Sequence, residues 1–384
     1  MNTSGHPVIY LIGTSGHPNF GDDFITSAWL RRLAQTMPQA EVWVDSPRPG
    51  QSAVLYGDAH PNVRFVDTLY HAVENTPSES PGDVVAFGRE VVANPGLISR
   101  EASGVEFLEH VDVVHVIGGG YLASAWPRNL ALLGSAAAMA EKHGTRTALT
   151  GAGLVPADPK AVPELTKLLS SFDVVDVRDA ASRDLLLADV SHVTCSGDDA
   201  FLHPNLTDQD SRFPVRTLVN VQADFLGHSL EDIADYIART LKEWRCDQGK
   251  VVVVECLPPD DSAIAGPLRD RLPLVEVLPF SILWRNGFPS APRSRWLTTR
   301  FHPHLVGAAN GGWGVVLPVG GDHSMVDPTT LLDFGSDWAV PTDLDTVVPW
   351  SRDINEPFGG ALPKLRADKR AVADQVAALV RRPR

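Results

Sequence analysis

Short apolar runs alternate with amphipathic stretches along nearly the whole chain, the pattern of parallel strands covered by helices. Val8–Ile12 reads as the first strand, followed by a glycine-bearing loop from Gly13 to Asp23 and a helix from about Phe24 to Thr36. Further strands are predicted at Val42–Val44, Val63–Val66, Val113–Ile117, Ala148–Thr150 and Val174–Val177, with helices at Leu130–Lys142 and Ala180–Leu187. Residues 76–82 read as a surface loop. The rhythm breaks between Asp198 and Arg212, where polar residues gather near prolines. It restarts with strands at Thr217–Val221 and Val251–Glu255, a helix at Ile233–Trp244, a strand ending in Trp296–Thr299, a short helix at Leu305–Asn310 and a strand at Gly314–Pro318. Near the end, Leu365, Val372, Val376 and Leu379 recur at helical spacing and predict a terminal helix over Lys364–Arg382.

The break divides the chain into an N-terminal Rossmann-like domain over 1–205, a second over 206–350, and an extension over 351–384 whose helix is expected to pack back on the first domain. The predicted fold class is α/β: two Rossmann-like domains facing a cleft, a GT-B-like architecture. A chain of 384 residues is long for one core and comfortable for two. In such open sheets ligands bind beyond the carboxyl ends of the strands.

Composition narrows the partners. Asp plus Glu number 47 against 33 Lys plus Arg, a formal net charge of −14. That balance argues against nucleic acid, which needs a broad basic surface. Three scattered cysteines suit buried reduced thiols rather than a disulfide framework or a zinc cluster. The thirteen histidines show no metal-ligand spacing, so no metal and no cofactor are expected. The start lacks a basic leader, and no apolar run is long enough to span a bilayer. The expected location is cytoplasmic, with no transmembrane segment; the oligomeric state is not encoded in any motif.

One window departs from the acidic average. Between Glu276 and Asp322 there is no Asp or Glu, while Arg285, Arg293, Arg295, Arg300, His302 and His304 all fall inside it. A locally positive patch could hold a small, highly charged anion. If Arg300 and His302 end a strand, alternation points both side chains to one side, a cation beside a proton-transfer group. Arg178 follows another strand; it fits either an ion pair with Asp179 or Asp184, or a ligand contact at a strand end.

Glycines mark further candidates. Gly13, Gly16 and Gly21 interrupt the first loop at spacings that do not match the dinucleotide fingerprint. They either serve the turn, with Asp22 or Asp23 capping the helix, or admit a substrate to the helix start. Gly118-Gly119-Gly120 follows a buried strand, where missing side chains permit close approach by a ligand or another chain segment, or serve tight strand-to-helix packing; Gly151-Ala152-Gly153 follows the strand Ala148–Thr150. Trp126, Trp284 and Trp296 are candidates for stacking on sugar rings or for the core.

In this order the pieces resemble the polysaccharide pyruvyltransferase family: Gly16, Asn19, Gly21 and Asp22; Gly118-Gly119-Gly120; Gly151-Ala152-Gly153; Val177-Arg178-Asp179; Ser196-Gly197-Asp198; and Arg300-Phe301-His302. The resemblance spans roughly residues 10–335 and implies a GT-B-like fold, no metal, and a basic pocket for phosphoenolpyruvate as donor substrate. It implies catalytic roles for His302, Arg300 and Arg178. Substrate-binding positions follow at Gly13, Asn19, Gly21, Asp22, Gly118, Gly119, Gly120, Gly151 and Arg295. Where the family often carries Tyr-x-x-Lys, this chain reads Val319 to Val326 with neither residue, and His323 is the candidate replacement cation.

The implied activity moves the pyruvyl group of phosphoenolpyruvate onto sugar hydroxyls of a cell-surface glycan or glycolipid precursor, closing a ketal. Two other readings stay open at this point. One is a nucleotide-sugar glycosyltransferase of the same architecture, with Glu255 as a candidate ribose contact. The other is a non-catalytic paralogue, motivated by the missing Tyr-x-x-Lys.

Overall fold

The computed structural model describes residues 5–207, 217–223, 227–289, 292–317, 328–350 and 357–380. They form two parallel sheets. The first contains β1 (Val8–Ile12), β2 (Glu41–Asp45), β3 (Val63–Val66), β4 (Val113–Val116), β5 (Arg146–Ala152), β6 (Val174–Val177) and β7 (Thr194–Cys195) in the order β3-β2-β1-β4-β5-β6-β7. The second contains β8 (Thr217–Asn220), β9 (Val251–Val254), β10 (Val275–Leu278), β11 (Arg295–Thr298) and β12 (Trp313–Val316) in the order β10-β9-β8-β11-β12. Both orders reverse direction beside their first strand, as in doubly wound Rossmann-like sheets.

The strand sequences explain the layering. The runs Val-Ile-Tyr-Leu-Ile in β1 and Val-Val-Val-Val in β9 are buried at every position, as expected for parallel strands covered on both faces. The edge strand β10 buries only Val275 fully, so its sequence carries no continuous apolar signal. Helices begin where caps allow. Asp179 accepts the Ser182 N–H at 2.8 Å to start Ala180–Leu186, and Ser229 accepts the Asp232 N–H at 3.1 Å to start Leu230–Glu243.

Several expectations are corrected. The first helix begins at Phe20 rather than Phe24. The supposed loop at 76–82 ends in a helix, Pro81–Ala93, because proline at the first helical position needs no N–H partner. The helix expected at Leu305 begins at Phe301, and the terminal helix begins at Pro357.

The chain divides into two compact units, Met1–His17 with Asp22–His203 and Leu365–Arg384, and Pro18–Gly21 with Pro204–Lys364. Thus the first unit takes most of the terminal helix, and the second takes four residues from the loop after β1. Among the described residues no helix is long and apolar enough to cross a membrane.

Candidate active site

In the first unit, the strand-end glycines surround a buried carboxylate. Asp199 accepts the Gly118 N–H at 2.9 Å, the Trp29 indole N–H at 2.7 Å and the Thr150 hydroxyl at 2.7 Å. Its other oxygen lies 3.1 Å from Lys369 Nζ, which also reaches Asp176 at 2.6 Å. Asp176 in turn accepts from Ser196 N–H and hydroxyl and from the Thr194 hydroxyl. All three charged side chains are 0% exposed. Burial alone would lower the lysine's pKa; the charges of Asp176 and Asp199 outweigh it and hold the ammonium above its usual range.

This cluster gives the glycines a structural use. A Cβ on Gly151 would lie 2.5 Å from Asp199 Oδ1, and one on Gly118 would lie 3.0 Å from Oδ2. At Gly13 the space is filled by Ile117, and at Gly119 by the Tyr121 ring and, farther off, the Asp22 carboxylate. Room expected for a ligand is occupied by protein at these four positions. Gly120 is half-buried and its carbonyl accepts the Ala123 N–H. Asp22 begins the first unit's share of the helix Phe20–Thr36, and Asp23 closes the preceding loop by accepting the Gly16 N–H at 2.8 Å.

Arg178 has the ion-pair partner Asp179 that the sequence offers, but the pair is buried rather than at the surface. The arginine is 1% exposed, and its guanidinium lies 3.7 Å from Asp179 and 3.8 Å from Asp198. A Cβ on Gly153 would sit 2.0 Å from Nη2, so that glycine makes room for the arginine.

In the second unit, Arg300 and His302 leave the sheet at the carboxyl end of β11, beside β8, where the strand order reverses. The strand stops at Thr298. Arg300 is the N-cap residue of the helix Phe301–Ala309, and His302 lies in its first turn. The alternation expected of a strand end therefore does not relate them. Arg300 Nε lies 2.8 Å from Asp261 Oδ1 and its Nη2 lies 2.7 Å from the same oxygen. Asp261 Oδ2 accepts from Asn220 at 2.8 Å and from the Cys256 and Leu257 N–H groups. Burial raises the Asp261 pKa, opposed by the Arg300 charge. Asn220 also accepts the Thr298 hydroxyl, and Thr299 accepts the Gln222 N–H, so β8 and β11 are pinned together beneath Arg300.

The acid-free window does not make one basic patch. Arg285 and Arg293 are exposed. Arg295 opens β11 and so lies at the amino end of that strand, away from Arg300, its guanidinium 4.9 Å from the Trp350 ring centroid. Arg300 is already countered by Asp261, which lies outside the window in sequence. Contiguity in sequence did not translate into contiguity in space. His304 is fully buried and hydrogen-bonds Ser336 at 2.7 Å; Trp296 is core. His323 lies outside the described residues. Asn19 and Gly21 fall in the second unit, where Gly21 touches the His302 ring.

Sequence reasoning missed Asp176, Asp199, Asp261, Asn220 and Lys369. A signal existed for two of them. Asp176 interrupts the buried run Val-Val-Asp-Val, and Lys369 sits four residues after Leu365 and three before Val372, on the apolar stripe of its helix.

A sequence model of the family described as polysaccharide pyruvyl transferase matches residues 19–289, more than half of the chain and ending before Arg300. No curated protein matches the sequence. Among solved structures, TcCGT1 in complex with UDP is similar with a TM-score of 0.53 at 13% identity, covering 98% of this chain and 99% of that one. A UDP-N-acetylglucosamine 2-epimerase from Listeria monocytogenes has a TM-score of 0.51 at 12% identity, covering 98% and 91%. The corresponding enzyme from Neisseria meningitidis, bound to UDP-GlcNAc, has a TM-score of 0.51 at 11% identity, covering 96% and 94%. At such identities the likeness establishes the fold, two Rossmann-like domains of GT-B type. With the sequence match over residues 19–289, it follows that the chain belongs to the polysaccharide pyruvyl transferase family.

Proposed function

We propose that the protein transfers the pyruvyl group of phosphoenolpyruvate to two hydroxyls of a sugar in a cell-surface glycan or glycolipid precursor, in the cytoplasm. The observation that carries this reading is the start of the helix Phe301–Ala309, with Arg300 at its N-cap and His302 in its first turn, at the switch point of the second sheet. A helix start favours anions, and a guanidinium held by Asp261 is pre-oriented for a carboxylate or phosphate.

The chemistry balances with one histidine. A proton is delivered to C3 of phosphoenolpyruvate while a sugar oxygen bonds to C2. The C2–O bond to phosphate then breaks, a second sugar oxygen bonds to C2, and the ketal closes. Of the two hydroxyl protons released, one matches that taken up at C3 and the other leaves with phosphate. An imidazole exchanges protons of this kind near neutral pH.

For the nucleotide-sugar alternative, one oxygen of its candidate contact Glu255 accepts the Phe280 N–H at 3.1 Å at the start of the helix Phe280–Asn286, so a ribose hydroxyl would have to share that carboxylate. Thermal-shift titration with phosphoenolpyruvate and with a panel of nucleotide sugars tests the reading. Stabilisation by phosphoenolpyruvate alone, together with acceptor-dependent phosphate release, is expected. Stabilisation by nucleotide sugars alone would replace the reading with glycosyl transfer, and stabilisation by neither with a non-catalytic role.

A further inference from the structure

Asn19-Phe20-Gly21 has a neighbour that its sequence does not announce. A Cβ on Gly21 would lie 2.0 Å from His302 Nδ1, 2.5 Å from Cε1 and 2.7 Å from Cγ, so the imidazole occupies the place of the missing side chain. The segment is fastened on both sides of that contact. Asn19 Oδ1 accepts the Gly21 N–H at 3.2 Å, and the Phe20 N–H donates to the Cys256 carbonyl at 2.9 Å. The buried Phe20 ring packs 5.0 Å from Phe288 and edge-on to Trp284 at 6.3 Å. Phe301 meets the same imidazole edge-on at 5.2 Å. Asn19, Phe20 and Gly21 all belong to the second unit, although the residues on either side of Pro18–Gly21 belong to the first.

We propose that Asn19-Phe20-Gly21 is the seat of His302, a positioning element that fixes the imidazole at the start of the helix Phe301–Ala309. Its consequence for proton transfer rests on the pyruvyl-transfer reading; the seat itself rests on geometry alone. Each residue of the motif has one task. Asn19 orients the Gly21 amide, Phe20 anchors the segment, and Gly21 leaves the space that the ring fills. A side chain there would meet three atoms of the ring, Nδ1, Cε1 and Cγ, so the imidazole must move to admit it.

The test exploits a sign. Gly21 is helical, and alanine is the better helix former, so Gly21→Ala should stabilise the protein unless something occupies the site. The expected result is a lower melting temperature for Gly21→Ala in the otherwise natural chain, and an unchanged or higher one in a His302→Ala background, where the obstructing ring is gone. If Gly21→Ala alone does not fold, recovery of folding in the double variant supports the seat, and failure of both overturns it. An equal effect of Gly21→Ala in the two backgrounds also overturns it.

A second readout follows the His302 ring itself, by its ¹H–¹³C imidazole resonances. Gly21→Ala should displace those resonances; unchanged resonances in folded Gly21→Ala reject the proposal. In phosphate release from phosphoenolpyruvate with a sugar acceptor, Gly21→Ala should lower turnover by up to the about 10²–10⁴-fold that a positioned acid or base contributes. It should cause no further loss once His302 is alanine. A natural chain that shows neither phosphoenolpyruvate stabilisation nor turnover defeats the functional reading, and the melting comparison still decides the seat.

Discussion

Lys369 Nζ lies 2.6 Å from Asp176 Oδ2, a fully buried contact between residues 193 positions apart in sequence. Removing one partner of such a pair leaves the other charged and without solvent. Lys369→Met should therefore destabilise the first unit by about 3–5 kcal/mol. Adding Asp176→Asn removes one of the two carboxylates left without the ammonium and should recover part of that loss. Urea unfolding of the two variants checks the order.

Arg300 and His302 should fail differently when replaced. Arg300→Ala removes a charge-assisted contact and should weaken phosphoenolpyruvate binding by about 1.5–3 kcal/mol. His302→Ala should keep donor binding and lose turnover by about 10²–10⁴-fold. Calorimetric titration with phosphoenolpyruvate, alongside acceptor-dependent phosphate release, separates the two. Turnover in His302→Ala equal to that of the natural chain removes the histidine from the mechanism.

Arg295 provides the contrast within the same strand. It sits at the amino end of β11 against Trp350, so Arg295→Ala should leave phosphoenolpyruvate binding unchanged. Its effect should be confined to stability, about 0.5–1 kcal/mol for a partly exposed cation–π contact. A binding loss comparable to that of Arg300→Ala would restore the continuous basic patch suggested by the acid-free window.

Three buried groups of the first unit contribute to its response to acid. Burial pushes His115 down to about 4 and His203 down to about 3, the latter helped by Arg31 and Arg366. Burial pushes Asp45 up to about 7, against hydrogen bonds from Tyr10, Leu69 and Tyr70. Each histidine contributes stability above its unfolded value of roughly 6.5, lost as pH falls towards its folded value. Asp45 acts oppositely: its proton is bound in the fold and released on unfolding above about 3.9, so its contribution fades as pH rises through about 7. Between about pH 6.5 and 4 these three groups together bind one more proton unfolded than folded, a contribution of about 1.4 kcal/mol per pH unit to the fall in unfolding free energy. In Asp45→Asn the offset vanishes and the slope should steepen by about 1.4 in the same units. Urea unfolding at a series of pH values measures both slopes.

The sheets were legible because parallel strands buried on both faces require β-branched runs, as at β1, β6 and β9. β10 was not, since an edge strand tolerates half-exposed residues. The first helix was read four residues late because Gly21, Asp22 and Asp23 look like loop residues when the burial of Phe20 is unknown. At the candidate site, Arg300 and His302 were legible as chemistry, but their surroundings were not. Asp261 reaches Arg300 across 39 positions and Asn220 reaches Thr298 across 78, and no local pattern encodes such pairings. The strand-end alternation failed for a local reason: the chain turns into a helix immediately after Arg300.

The buried ammonium on the terminal helix also sets an order of events in biosynthesis. Asp176 and Asp199 emerge from the ribosome long before the cation that compensates them. A nascent chain halted short of Lys369 must keep those carboxylates solvated or protonated, so the loops carrying Gly118 and Gly151 lack their final anchor until residue 369 has been made. A stop codon just before the helix Pro357–Val380 would therefore act as a lesion of strand-end loops encoded far upstream of it.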